Sequence, residues 1–248
     1  MRVIIADDEG PARTRLRGLV EEIGGIEVVA EAGNGRQALL QCDELHPDAV
    51  LLDIRMPGMD GLEAARHLAG LEPAPAVIFT TAYSEHALAA FDACAIDYLL
   101  KPVRKARLAQ ALVKAQRLTS AQLNAVTQSL EGAARQRTHI SARCGGRIEL
   151  IDIADVAYFQ AGDKYVSVHH RGGELLIDEP LKALETEFSQ DFMRVHRSIL
   201  AARDMINGLE KDPQGHYYVL LKDRQRLPVS RRHISELRAL VRAGRIRT

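Results

Sequence analysis

Tryptophan is absent, aromatic residues make up 4% of the chain, and 248 positions hold three cysteines. Cys42, Cys94 and Cys144 are odd in number, far apart and without metal-ligand spacing. That excludes a disulfide framework and a cysteine-bound zinc site, and all three are expected to be reduced thiols that fill packing positions. No apolar run approaches the about 18 residues that a membrane span requires. The opening Met1-Arg2-Val3-Ile4-Ile5-Ala6-Asp7-Asp8 turns acidic too soon for a signal peptide. A cytoplasmic protein with no membrane partner is the expectation. Net charge is also missing, since 33 Lys and Arg balance 33 Asp and Glu. The balance hides a gradient: residues 1–117 carry 13 basic against 17 acidic residues, and residues 138–248 carry 18 against 15. Six of the nine histidines also lie in that second stretch. The excess is too small to indicate nucleic acid by itself.

What is present is enough apolar material, 46% of the chain, for about two domains. In the first half, short apolar runs alternate with amphipathic stretches. Strands are expected at Arg2–Ala6, Glu27–Ala32, Ala49–Asp53, Ala76–Thr80 and Ile96–Leu100. Helices fall between them: one stopped by Gly24-Gly25, one capped by Asn34, one beginning at Asp60, one capped by Ser84 and running to about Phe91, and a closing helix over Val103–Leu118. Such alternation makes a parallel sheet covered on both faces. Right-handed crossovers leave few strand orders. The flavodoxin-like order 2-1-3-4-5 is taken by analogy with known doubly wound proteins, and it brings strands one and three side by side.

Chemistry gathers at the strand ends. Ala49 to Leu52 runs into Asp53, and Pro57, Gly58 and Gly61 break the chain behind it. Alone, Asp53 reads equally well as a strand-ending residue that caps the next turn. However, Asp7 and Asp8 end strand one, Thr81 follows strand four, and Lys101 closes strand five before Pro102. Three carboxylates sharing a dry site repel, which raises at least one pKa unless a cation joins them. A hard divalent ion with oxygen ligands fits, and magnesium is the natural choice. Lys101 and such an ion would neutralise charge on a transferring phosphoryl group, and Thr81 could bond a phosphate oxygen.

Residues 119–137, rich in Gln, Ala, Ser and Thr, read as a linker, with Leu123, Val126 and Leu130 able to prolong a helix. Beyond it the pattern changes to short alternating strands with few helices. Lys164–Arg171 alternates, Gly172-Gly173 turns a hairpin, Pro180 opens a short helix, and Ser230 caps a last one. Basic residues cluster at element ends: Lys164, His196-Arg197 and Arg231-Arg232-His233. Any one of them is ordinarily a solvated surface charge; together, on a β scaffold, they can enter a major groove. Tyr158, Phe159, Tyr165 and Tyr217-Tyr218 look like core residues, not a stacking platform for RNA.

Residues 1–118 resemble the receiver domain of two-component response regulators. The likeness rests on Asp7-Asp8, the run Asp53-Ile-Arg-Met-Pro-Gly-Met-Asp-Gly, Thr81-Ala82 and Lys101-Pro102. It implies that a sensor histidine kinase phosphorylates Asp53, and that Asp8, Asp53 and the Arg55 backbone carbonyl ligate Mg2+ with Asp7 in support. Thr81 and Tyr98 match the family's switch pair, and the Lys101–Pro102 bond is expected to be cis. Gly10-Pro11 is a mild departure, because relatives more often place proline directly after the acidic cluster. Residues 138–248 resemble the LytTR DNA-binding domain, a mostly-β fold of ten strands. Here the likeness rests on Ile153-Ala-Asp-Val-Ala-Tyr-Phe-Gln-Ala, Phe192-Met-Arg-Val-His-Arg-Ser-Ile-Leu-Ala and Val229-Ser-Arg-Arg. It implies contacts to double-stranded promoter DNA from Lys164, Arg197 and Arg232, with Arg231 beside them, and a homodimer formed on DNA or on phosphorylation.

A response regulator, not an enzyme, is the reading that results. An aspartyl-phosphate hydrolase would need a second Asp two residues after the first, where this chain has Arg55. A receiver controlling a protein- or RNA-binding module is the other alternative.

Overall fold

The computed structural model describes residues 1–82, 96–117, 136–145 and 147–242. They form two compact units, Met1–Thr138 and His139–Thr248.

The first unit is built on β1 (Arg2–Ala6), β2 (Glu27–Ala32), β3 (Ala49–Asp53), β4 (Ala76–Thr81) and β5 (Asp97–Leu100). The strands pair in parallel in the order β2-β1-β3-β4-β5, as expected. Helices α1 (Gly10–Ile23), α2 (Gly35–Leu45), α3 (Gly61–Leu68) and α4 (Lys105–Arg117) connect and close it. Every residue of β3 and β4 is buried, which is why both read as unbroken apolar runs with no alternation. Val3, Ile5, Leu51 and Ile78 pack with Leu16 and Val20 of α1 and Leu108 and Leu112 of α4. Ile4, Val50 and Leu52 point to the other face, each fully buried, as is Leu39 of α2. Local signals set the helix starts. Asn34 accepts from the Gln37 backbone N–H at 2.8 Å and Asp60 from that of Glu63 at 2.8 Å, each cap contributing about 1 kcal/mol. Gly24, at φ 75°, ends α1 in a conformation that glycine adopts freely. The closing helix starts at Lys105, two residues later than the sequence suggested. The expected helix at Ser84–Phe91, Cys94 and most of the expected linker lie outside the described residues.

Among the described residues the second unit contains ten strands: β6 (His139–Cys144), β7 (Arg147–Asp152), β8 (Val156–Ala161), β9 (Val166–His170), β10 (Gly173–Ile177), β11 (Phe192–His196), β12 (Ile199–Ala202), β13 (Ile206–Lys211), β14 (Tyr217–Leu221) and β15 (Arg226–Pro228). Their sheets are β10-β9-β8-β12-β11, β13-β14-β15 and β6-β7, all antiparallel. Two short helices accompany them, α5 (Leu181–Glu187) and α6 (Ile234–Arg242).

One core holds Phe159, Leu200 and Phe192 with Leu184 of α5 and Phe188 just after it. A second joins Tyr158, Val195 and Ala201 to Val219 and to Leu237 of α6. Strand alternation sends Tyr158 and Phe159 to opposite cores. Burying such side chains stabilises by about 1.5–3 kcal/mol each. The Phe159 and Phe192 rings lie 5.0 Å apart, a tilted aromatic pair.

Three expectations are corrected here. Cys144 is exposed at the β6 end, not a packing residue like the buried Cys42. Tyr165 is 51% exposed, because the hairpin turn between β8 and β9 lifts it clear of the core. Ser230 precedes the last helical segment but its side chain makes no cap bond. Among the described residues no helix is long and apolar enough to cross a membrane.

Candidate functional site

The parallel sheet places its carboxyl ends along one edge. Asp7 follows β1, Asp53 ends β3, Thr81 ends β4 (one residue further into the strand than expected) and Lys101 follows β5. Asp7 and Asp53 are buried and Asp8 is exposed. One carboxylate oxygen from each of the three falls within 4.8 Å of the others. Lys101 Nζ bridges two of them, 2.7 Å from Asp7 Oδ2 and 3.1 Å from Asp53 Oδ1. Its backbone N–H donates to the Thr81 carbonyl at 2.7 Å, which ties the ends of β4 and β5. The Lys101–Pro102 bond is cis. Thr81 is buried and Tyr98, on β5, is half-buried. Arg55 lies exposed in the turn after β3.

Behind Asp53 the chain turns against itself. The Gly61 N–H donates to the Ile54 carbonyl at 2.9 Å. A Cβ at position 61 would stand 2.0 Å from the Asp53 carbonyl oxygen, so only glycine lets α3 start this close to β3. Arg13, missed in the sequence, supports the other side. It donates to the Asp7 carbonyl at 2.6 Å and pairs with Glu31 at 3.2 Å. Arg13 and Arg17 are spaced i, i+4 on α1, and that spacing was the available signal.

Burial raises the Asp53 carboxyl to about 6; Lys101 opposes the rise, and the Asp7 and Asp8 charges add to it. Burial pulls Lys101 down, but its bonds to Asp7 and Asp53 win and leave it above its ordinary value. One ammonium thus pairs with two of three clustered carboxylates. The donor set fits a hard divalent cation: several oxygens converge, one of them on an exposed residue where retained waters have room.

A second constellation occupies one end of the β10-β9-β8-β12-β11 sheet. Lys164 sits in the β8–β9 turn, closed by the Gly162 N–H donating to the Tyr165 carbonyl at 2.9 Å. That turn joins the β11–β12 turn, because the Ala161 N–H donates to the Ser198 carbonyl at 2.8 Å. The β11–β12 turn in its turn joins the segment before α6. Arg197 N–H donates to Ser230 Oγ at 3.2 Å, and Ser230 N–H to the Val195 carbonyl at 2.9 Å. Ser230 therefore staples two loops, where the sequence suggested a cap. Lys164, Arg197, Arg231 and Arg232 are all exposed. Arg232 Nε donates to His233 Nε2 at 2.9 Å. Burial, then the Arg197, Arg194 and Arg232 charges, hold His196 below its ordinary pKa; burial and Arg232 do the same to His233. Both rings are therefore neutral at pH 7.

Residues 3–113 match the response regulator receiver domain and residues 146–242 the LytTr DNA-binding domain. The chain belongs to the response regulators that join these two domains: signalling proteins that accept a phosphoryl group on a receiver aspartate and regulate transcription by binding DNA. Within that family it is 50% identical over 245 residues to the positive alginate biosynthesis regulatory protein of Pseudomonas aeruginosa, covering 97% of this chain and 99% of that one. An uncharacterized response regulatory protein of Vibrio cholerae is 38% identical over 245 residues, with 92% and 94% covered. The sensory transduction protein LytT of Bacillus anthracis is 32% identical over 245 residues, with 98% and 99% covered.

Proposed function

We propose that Asp53 is the phosphoryl acceptor, that a sensor histidine kinase is its donor, and that Lys164, Arg197, Arg231 and Arg232 contact promoter DNA. The observation that carries the first part is the Lys101 ammonium bridging Asp7 and Asp53 beside Asp8. Asp8, Asp53 and the Arg55 carbonyl would hold Mg2+, with Asp7 in support. When bound, the ion neutralises charge on the phosphoryl oxygens. Lys101 holds one Asp53 oxygen by its ion pair and stays cationic, ready to face the phosphate. Phosphorylation adds about −1.5 to −2 charge. Thr81, one strand over, then hydrogen-bonds the new oxygens, and Tyr98 on β5 responds to the shift. That would alter the surface through which receivers associate, giving a homodimer on phosphorylation or on DNA. We take the domains to be 1–118 and 138–248 with a linker over 119–137, in a cytoplasmic protein.

The three stapled loops support the DNA reading, since they present four exposed cations from one end of a rigid sheet. Two measurements test the whole. Asp53→Ala should abolish phosphoryl uptake from acetyl phosphate; intact uptake would move the acceptor elsewhere. Gel shifts with duplex DNA and with RNA across a salt series should show tighter binding to duplex with a steep salt dependence. Preference for RNA would replace promoter binding with the RNA-binding alternative.

A further inference from the structure

Arg194 lies on β11, three residues before Arg197, and its side chain folds back over the end of its own strand. Nε donates to the His196 carbonyl at 2.9 Å, and Nη2 donates to the Arg197 carbonyl. Nη1 pairs with Glu185 Oε2 of α5 at 2.8 Å. The side chain is 17% exposed, so its fork of donors is directed inward. The ladder explains why. Pairing between β11 and β12 slips between Arg194 and His196, and such a bulge takes backbone groups out of the ladder. The Val195 carbonyl at the slip takes the Ser230 N–H, while the carbonyls of His196 and of Arg197 in the turn take Nε and Nη2 of one planar guanidinium whose third nitrogen holds a carboxylate.

We infer that Arg194, anchored by Glu185, is a positioning residue: it fixes the backbone from which Arg197 projects and so sets the sequence specificity of DNA binding. The inference rests on the reading of Arg197 as a DNA contact. Arg194 acts through the turn, since its nitrogens are engaged with protein oxygens. Glu185 makes the argument separable from simple electrostatics. Removing a carboxylate next to a cationic surface strengthens attraction to any duplex. If Glu185 holds the turn in place, its removal instead weakens binding to the preferred sequence.

The test uses the full-length chain and two duplexes: one enriched by the wild type from a random pool, and a scrambled version of it. Glu185→Gln and Arg194→Lys should each lose about fivefold to tenfold in affinity for the enriched duplex. Binding to the scrambled duplex should hold steady or tighten, with an unchanged salt slope. In the Arg197→Ala background, Glu185→Gln should leave the ratio between the two duplexes unaltered, because the group being positioned is gone. Circular dichroism melts identify any variant that unfolds. Should Arg194→Lys do so, the 41%-exposed Glu185 side chain still provides the test. Equal tightening on both duplexes, or an unchanged ratio in Glu185→Gln, would overturn the inference while leaving Arg197 as a contact. If Arg197→Ala itself binds the enriched duplex like the wild type, the DNA reading of this turn fails and the positioning role fails with it.

Discussion

Replacing Asp53 by asparagine removes a charge that the folded site accommodates poorly. Ionisation of Asp53 shifts from the ordinary 3.8 to about 6, chiefly through burial. That rise corresponds to at most about 3 kcal/mol of ionisation penalty, and solvent screening at the mouth of the site brings it to about 1–2 kcal/mol. The sign is set by proton binding. Between pH 3.8 and about 6 the folded protein holds a proton on Asp53 that the unfolded chain has released. Wild-type stability therefore falls as pH rises through this window and levels off above it. Asp53→Asn escapes that loss. In chelator, its receiver transition in calorimetry should match the wild type near pH 4, then separate upward by about 4–10 °C at pH 7.5. Adding Mg2+ at tenfold its dissociation constant should return about 1.4 kcal/mol to the wild type and less to the variant. A variant that melts no higher at pH 7.5 without cation, or a gap that ignores pH, would refute this electrostatic account.

Other substitutions report on other parts of the molecule. Gly61→Ala forces a methyl onto the Asp53 carbonyl and should cost about 1–3 kcal/mol in urea unfolding, with slower phosphoryl uptake. Arg197→Ala and Arg232→Ala should each lose about 1–3 kcal/mol of specific binding if each reads a base through two hydrogen bonds. Gel shifts at fixed salt measure this, and wild-type affinity would remove the residue from the interface. Phe188→Ala empties a fully buried site beside Phe159 and Phe192 and should destabilise the second unit by about 3–5 kcal/mol, visible in guanidinium titration.

Features governed by neighbours in sequence were legible; those governed by distant neighbours were not. β3 showed itself as Ala-Val-Leu-Leu-Asp because both its faces are covered. Asn34 and Asp60 showed themselves as caps because their partners lie three residues on. Ser230 carries the same kind of signal, yet its hydroxyl oxygen serves Arg197, 33 residues away. Arg194 was invisible for a related reason. Its partners are backbone carbonyls at and beyond the end of β11, next to a bulge, and neither leaves a mark in the apolar pattern. At the sheet edge the carboxylates, Thr81 and Lys101 were all found, because each follows a recognisable strand. Arg13 was not, since what it bonds at Asp7 is a backbone oxygen that no sequence names.

On β3 only Asp53, 6% exposed at the strand's tip, touches solvent, and that constrains how news of a charge there can travel. The strand is mute along the rest of its length, because Ala49, Val50, Leu51 and Leu52 are fully buried. A disturbance at its tip must pass sideways, across the ladder that pairs Asp53 with Thr80 and Thr80 with Leu99. At β5, one of the sheet's two edge strands, half-buried Asp97 and Tyr98 and exposed Leu100 meet the surface, as exposed Glu27 does on β2 at the other edge. The sheet is thus silent in the middle and meets the surface at its two edges.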